Sequence, residues 1–137
     1  MTKVLTGIIA VLAALFTAVG AMAQANYPDR TIRLIVAFPP GGPSDIVARL
    51  MSEKLTEGLG KPVVVENVSG ASGNIGTERV AKCVPDGHTL LISAHGPLVV
   101  NPSLFQKVPF DPIRDFAPIS QLCYTPNVLV VNNDVPV

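Results

Sequence analysis

The chain has 137 residues, ten Lys and Arg against ten Asp and Glu, and a formal net charge of zero. Without a basic run it lacks the footprint of a nucleic-acid partner held by phosphate neutralisation, and that of a polybasic membrane patch. Its 48% apolar content is unevenly spread, with seventeen of the first 23 residues apolar, so the composition describes a leader followed by one domain-sized segment.

Lys3 is the only charge before Asp29, and the apolar run Val4 to Val19 follows it. A basic start, a short apolar core and small residues through Ala21-Met22-Ala23 make residues 1–23 a secretory signal peptide, with cleavage after Ala23 fitting best and Ala25 as the alternative site. The run falls short of the roughly 20 residues that span a bilayer, and no charged flank follows it. Residues 24–137 then form the exported, soluble segment.

Thr31 to Phe38 is rich in β-branched and apolar residues without strict alternation, as expected of a strand buried on both faces of a parallel sheet. It stops at Pro39-Pro40-Gly41-Gly42-Pro43. Ser44 suits an N-cap and Asp45 the positive helix end; Ile46, Val47, Leu50, Met51, Leu55 and Leu59 then form an apolar stripe of a helix ended by Gly58 and Gly60. Pro62 to Glu66 reads as a second buried strand, Asn67 to Asn74 as a Gly and Ser loop, and Ile75 to Lys82 as a short helix. Pro85-Asp86-Gly87 is a turn before a third strand, Thr89 to Ser93. Strand, helix, strand, helix, strand predicts an α/β fold, a parallel sheet wrapped by helices. Prolines at 97, 102, 109, 112 and 118 predict mostly loop beyond Gly96, with one helical turn around Pro102 to Gln106. Ile119 to Tyr124 and Asn127 to Val131 look like strands again, and residues 132–137 end without a cap or closing element, as in an interrupted C-terminus.

In an open parallel sheet, ligands bind beyond the carboxyl ends of the strands. Phe38 to Asp45, Asn67 to Asn74 and Ser93 to Gly96 are the loops at that end. The first two are Gly-rich and run into helix N-termini, which favour an anion; the competing reading is that their glycines only make tight turns. Asp45 stabilises its helix end or contacts a ligand. Gly70-x-x-Gly73-x-x-Gly76 has the wrong spacing for a dinucleotide fingerprint, and no loop carries a P-loop ending. Ser44, Ser69, Ser72 and Ser93 lack a nucleophile-elbow context. His88 and His95 have no Cys or carboxylate at metal-ligand spacing, so neither a metal nor a cofactor is implied. His88 reads as a partly buried spacer, and His95 as a plain loop residue or, as the alternative, a ligand contact in the loop after the third strand. Cys83 and Cys123, if paired, would close a loop of about 40 residues worth about 4 kcal/mol; separate buried thiols fit their placement near a helix end and inside a strand better.

Tyr27-Pro28, Ile32 to Asp45 (IRLIVAFPPGGPSD), Pro62 to Gly76 (PVVVENVSGASGNIG), Pro85 to Leu91 (PDGHTLL) and Asn101 to Phe105 (NPSLF) together resemble the Bug-type periplasmic solute-binding receptors of tripartite tricarboxylate transport systems. The resemblance implies one lobe of a two-lobed periplasmic-binding-protein fold (type II-like), with the chain stopping where the family pattern continues into the second lobe. It also implies a non-enzymatic periplasmic receptor that closes over a small carboxylate, such as a citrate-like acid, an acidic amino acid or an aromatic acid, and delivers it to membrane transporter subunits. Phe38, Gly41, Gly42 and Asp45 match the family's first ligand loop, and Ala71, Ser72, Gly73 and Asn74 its second. Ser93, Ala94 and Gly96 fall at the end of the third strand, where the pattern is looser. The family implies an anion held mainly by backbone N–H groups and waters. The chain departs from the pattern at Val68-Ser69, usually Arg-Pro, at Ser72-Gly73, usually Gly-Gly, and at His88, usually aromatic; Cys83 and Cys123 stand at usually small positions. The competing functions are a truncated remnant or interaction module without a transport role and, less supported by the motifs, a small α/β enzyme.

Overall fold

The computed structural model describes residues 27–124, 126 and 128–135, so the leader expected at 1–23 lies outside the described residues. Among the described residues no helix is long and apolar enough to cross a membrane.

The first apolar run forms β1 (Ile32–Val36), shorter at both ends than the expected Thr31 to Phe38. The Ala37 N–H still reaches the Ile92 carbonyl at 3.3 Å, but Pro39 and Pro40 have no N–H to continue the ladder. Helix α1 (Pro43–Leu59) follows. Its N-cap is Gly42 rather than Ser44: Pro43 occupies the first helical position, where its fixed φ suits the helix and its missing N–H leaves no donor unpaired. The helix ends on Gly60, whose left-handed backbone directs its N–H to the Thr56 carbonyl at 3.0 Å, while Gly58 stays inside the last turn.

The packed face of α1 is rotated from the expected stripe. Ala48 is fully buried, with Met51, Ser52, Leu55 and Thr56 half-buried beside it, whereas Ile46 and Leu50 are 55% and 63% exposed. Ala48 has almost no side chain, so the helix can approach the sheet closely there, and the larger residues turn outward.

β2 (Val63–Asn67), α2 (Asn74–Ala81) and β3 (Thr89–Ile92) complete the expected alternation. The three strands are parallel in the order β2-β1-β3, with Leu34 level with Val65 and with Leu90. The chain therefore moves to one side of β1 through α1 and to the other through α2. Right-handed crossovers of opposite travel put the two helices on opposite faces, and the strand order switches between β1 and β3.

On the α1 face, Ile32, Leu34, Val36, Ala48, Val63 and Ile92 form the core, with Phe38, Leu55, Val65 and Leu90 at its rim. On the other face lie Ile35 and Ala37, both fully buried, and α2 contributes Thr77 and Val80. Burial of each large aliphatic contributes about 1.5–3 kcal/mol. A Cβ on Gly76 would come 2.4 Å from the Val68 carbonyl oxygen and 2.9 Å from the Ala37 Cα, so its glycine sets how closely α2 seats against β1.

His88 precedes β3, is 8% exposed and stacks edge-on against Tyr27 at a centroid distance of 5.0 Å. Its Nε2 lies 3.0 Å from an Asp29 oxygen, but off the line needed for a hydrogen bond.

The Pro-rich stretch is more helical than expected. A wide π-type turn at Gly96–Val100 leads into the short helix α3 (Asn101–Leu104), starting well before the expected Pro102 to Gln106 turn. Pro97 and Pro102 both fall in first turns, where a missing N–H is harmless, and the Asn101 N–H bonds the Gly96 carbonyl five residues back, absorbing the break. Ile119 to Tyr124 and the described part of the other expected strand, residues 128–131, are irregular and mostly exposed. A strand needs a neighbour for its N–H and C=O groups, and β-forming residues alone do not supply one. Cys83 and Cys123 are free as expected, but neither is buried: Cys83 is half-buried and Cys123 exposed.

Candidate functional site

The loops after β1, after β2 and after β3 converge at the carboxyl end of the sheet, beside the β1/β3 switch point. From Ala37 to Ser44, from Asn67 to Asn74 and from Ser93 to Pro97 they contain no Lys, Arg, Asp or Glu. The arrangement is held by two polar braces and one apolar contact.

The first brace is Asp45, whose side chain is 4% exposed. One of its oxygens, Oδ2, accepts from the Gly41 N–H and from Arg49 Nε, each at 2.9 Å, and Oδ1 accepts from Asn67 Nδ2 at 3.0 Å. The same Asn67 nitrogen donates to the Phe38 carbonyl at 3.1 Å. The loop after β1 is thus tied to the end of β2 through one carboxylate. The Arg49 hydrogen bond, then the Gly41 N–H and the Asn67 amide, lower the Asp45 pKa to about 2. Ionised and engaged on both oxygens, Asp45 shapes the loop.

The second brace is Asn101, 3% exposed, at the start of α3. Its Nδ2 donates to Asn74 Oδ1 at 2.7 Å and to the Ser72 carbonyl at 3.2 Å. These bonds hold a segment of unusual backbone: Gly70, Ala71, Ser72 and Gly73 all have positive φ, at 130°, 46°, 55° and 88°. Two non-glycine residues in the left-handed region are strained, and such strain persists where the surroundings over-determine it. The turn leaves the Ala71 and Ser72 N–H groups without a protein partner among the described residues and exposed to solvent, just before the N-terminus of α2. Across the site, Pro43 and Ser44 open α1 with the same surplus of positive dipole. Thr77 Oγ1 donates to the Gly73 carbonyl at 2.8 Å and closes the turn from beneath.

The apolar contact is at Gly73. A Cβ there would lie 2.6 Å from Pro97 Cγ and 3.3 Å from Phe38 Cζ, so the three loops meet over this one residue.

Phe38, Gly41, Gly42, Asp45, Ala71, Ser72, Gly73 and Asn74 are therefore brought together, Gly73, Asn74 and Asp45 as buried framework and Gly41, Ala71 and Ser72 on the surface. Ser93 and Ala94 are half-buried, Gly96 begins the π-type turn, and His95 is exposed. Sequence reasoning missed Asn67, Arg49 and Asn101. An amide at the last position of the second strand, where it opens the Gly and Ser loop, was a usable sign for Asn67. Arg49 stands one helical turn after Asp45, a spacing that was a usable sign for their pairing, whereas Asn101 acquires its role only through distant partners. At the opposite end of the sheet a concavity lined by Arg30, Arg33, Asp86 and His88 offers no unpaired charge, since Arg30 bonds Asp86 and Arg33 bonds Glu66.

The family model for the tripartite tricarboxylate transporter family receptor matches residues 47–137. The protein BugT of Bordetella pertussis is 42% identical over 132 residues, which cover 93% of this chain and 40% of that relative. A Pseudomonas protein encoded in a tcbD-tcbE intergenic region is 45% identical over 108 residues, 79% of this chain and 32% of its own. This chain thus spans about two fifths or less of the curated relatives it matches. Among solved structures, MatC from Rhodopseudomonas palustris with bound malate is 41% identical with a TM-score of 0.67, over 70% of this chain and 33% of MatC. The periplasmic binding protein BugD is 43% identical with a TM-score of 0.65, over 68% of this chain and 31% of its own.

Proposed function

Because the chain belongs to the tripartite tricarboxylate transporter receptor family, a family of solute-binding receptors and not of enzymes, we propose that it captures a small carboxylate for a transport system of that type. The observation that carries this reading is the loop cluster at the β1/β3 switch point. It presents the free N–H groups of Ala71 and Ser72 and two helix N-termini, and its only charged side chains among the described residues are the mutually paired Asp45 and Arg49. Such a surface attracts a carboxylate through oriented dipoles, and repels none by a misplaced acid. MatC holds malate and a second R. palustris relative holds adipate, which supports a dicarboxylate.

Residues 1–23 would be removed on export, residues 24–137 would act in the periplasm, and transporter subunits would receive the ligand. This chain would supply one wall of the cleft, the family's second lobe the other, and ligand would select the closed arrangement of the two. The reading is tested by two-dimensional NMR of the exported chain titrated with malate or adipate into the millimolar range. Shifts confined to 38–45, 71–74 and 93–96 are expected; shifts elsewhere only, or none, would overturn it.

A further inference from the structure

We propose that the chain self-associates by exchanging Val128–Val131 onto the outer edge of β3 of a second copy. Among the described residues β3 is an edge strand, bonded only to β1. The His88 carbonyl accepts from the Arg33 N–H at 2.8 Å and the Ile92 carbonyl from the Ala37 N–H at 3.3 Å, so residues 88, 90 and 92 face β1. By the alternation of a parallel ladder, Thr89, Leu91 and Ser93 point their N–H and C=O groups outward, and among the described residues none of these backbone groups has a backbone partner. The other edge is treated differently: the outward N–H of Val63 on β2 is capped by Thr56 Oγ1 at 3.0 Å. Thr89 to Ser93 carries none of the usual edge guards, neither Lys, nor Pro, nor an inward charge.

The complementary element lies on the same chain. From Phe116 to Asn133 there is no charged residue, and Val128, Leu129 and Val130 are 79%, 91% and 81% exposed. A strand added beside β3 would extend the core face to which Leu90 and Ile92 belong, so its residues on that face must be apolar. Val128–Val131 meets that requirement and matches the four residues of β3, whereas Ile119 to Tyr124 is interrupted by Ser120 and Gln121. Reciprocal exchange satisfies both edges in a closed two-fold dimer, with no open-ended growth.

Sedimentation velocity on the full chain, produced with its own leader and purified in the form the cell delivers, tests this under reducing conditions so that Cys123 cannot cross-link copies. A concentration-dependent monomer–dimer equilibrium is expected. Leu129→Lys should weaken it at least tenfold, because Leu129 has almost no intrachain contact to lose. Ile46→Lys, on the exposed side of α1, should leave it unchanged. Hydrogen exchange at Thr89, Leu91 and Ser93 should slow as concentration rises. A chain that stays monomeric throughout, an association that Leu129→Lys leaves intact, equal loss with Ile46→Lys, or concentration-independent protection of β3 would each overturn the proposal; the last would mean pairing within one copy.

Discussion

Asp45 is buried but ionised, and the reason is local: three donors converge on it, and the Arg49 guanidinium contributes most to holding its pKa near 2. In the unfolded chain its value is the ordinary 3.8. A depressed folded value means that its contribution to stability is complete above about pH 4 and is lost as pH falls towards about 2. Glu66, Asp86 and Asp111 are also lowered, by Arg33, by the His88 N–H and by the Ile113 N–H first, so acid sensitivity is shared. Thermal melts of the native chain and of Asp45→Asn between pH 7 and 2 separate the share of Asp45. The variant is expected to melt several degrees lower at pH 7 and to lose less stability than the native chain on acidification. A glycine pair tests the loop geometry in the same way. Gly41→Ala meets only the backbone penalty of its φ of 82°, about 1–2 kcal/mol, since nothing lies within 4 Å. Gly73→Ala adds overlap with Pro97 to a similar penalty, for about 2–4 kcal/mol. Equal losses in chemical denaturation would refute the contact over Gly73.

At the scale of elements, α3 matters more than its four residues suggest, because Asn101 is the clamp on the left-handed turn. Asn101→Ala leaves the Asn74 side-chain carbonyl and the Ser72 carbonyl without their donor, a loss of about 1–3 kcal/mol. Hydrogen exchange should show faster opening at Ala71 to Gly73 while β1 and β2 keep their protection; uniform loosening would mean that Asn101 acts only on global stability. The strands, α1 and α2 were legible in the sequence because their signals are local: apolar runs such as Ile32 to Val36, Pro43 at a helix start, Gly60 at its end. The rotation of α1, which buries Ala48 and exposes Ile46 and Leu50, was not, because periodicity fixes a stripe only to within a residue's turn. The segment after Gly96 misled for a different reason. Proline signals a break, yet Pro97 and Pro102 stand where a helix tolerates them. Ile119 to Tyr124 has strand composition but no partner, and pairing is not a property of one segment. Within the site, the glycine loops and the one-turn spacing of Asp45 and Arg49 could be read directly, whereas the Asp45–Asn67 and Asn74–Asn101 bonds join residues 22 and 27 positions apart.

For the molecule as a whole, zero net charge and charge-free loops support the proposed capture of an anion by backbone dipoles, and they limit how tightly this segment alone would hold it. A micromolar receptor has about −8.2 kcal/mol of binding free energy, and a wall that supplied about half of it would retain about −4.1 kcal/mol, a Kd of about 1 mM. The true value is expected to be weaker still, because an open wall leaves the carboxylates in contact with water, where each N–H bond to them competes with hydration. The chain spans about two fifths of BugT, which is why this arithmetic applies to it. Isothermal calorimetry of the chain against malate, adipate and a tricarboxylate should therefore show no saturable heat at micromolar concentrations. The NMR titration should still give millimolar, non-saturating shifts in the same three loops, and raising NaCl from 50 to 300 mM should change them little, since no basic cluster is there to be screened. Micromolar saturation would show that these loops form a complete site on their own, and a steep salt dependence would show that a cationic side chain, rather than the Ala71–Ser72 backbone, holds the ligand.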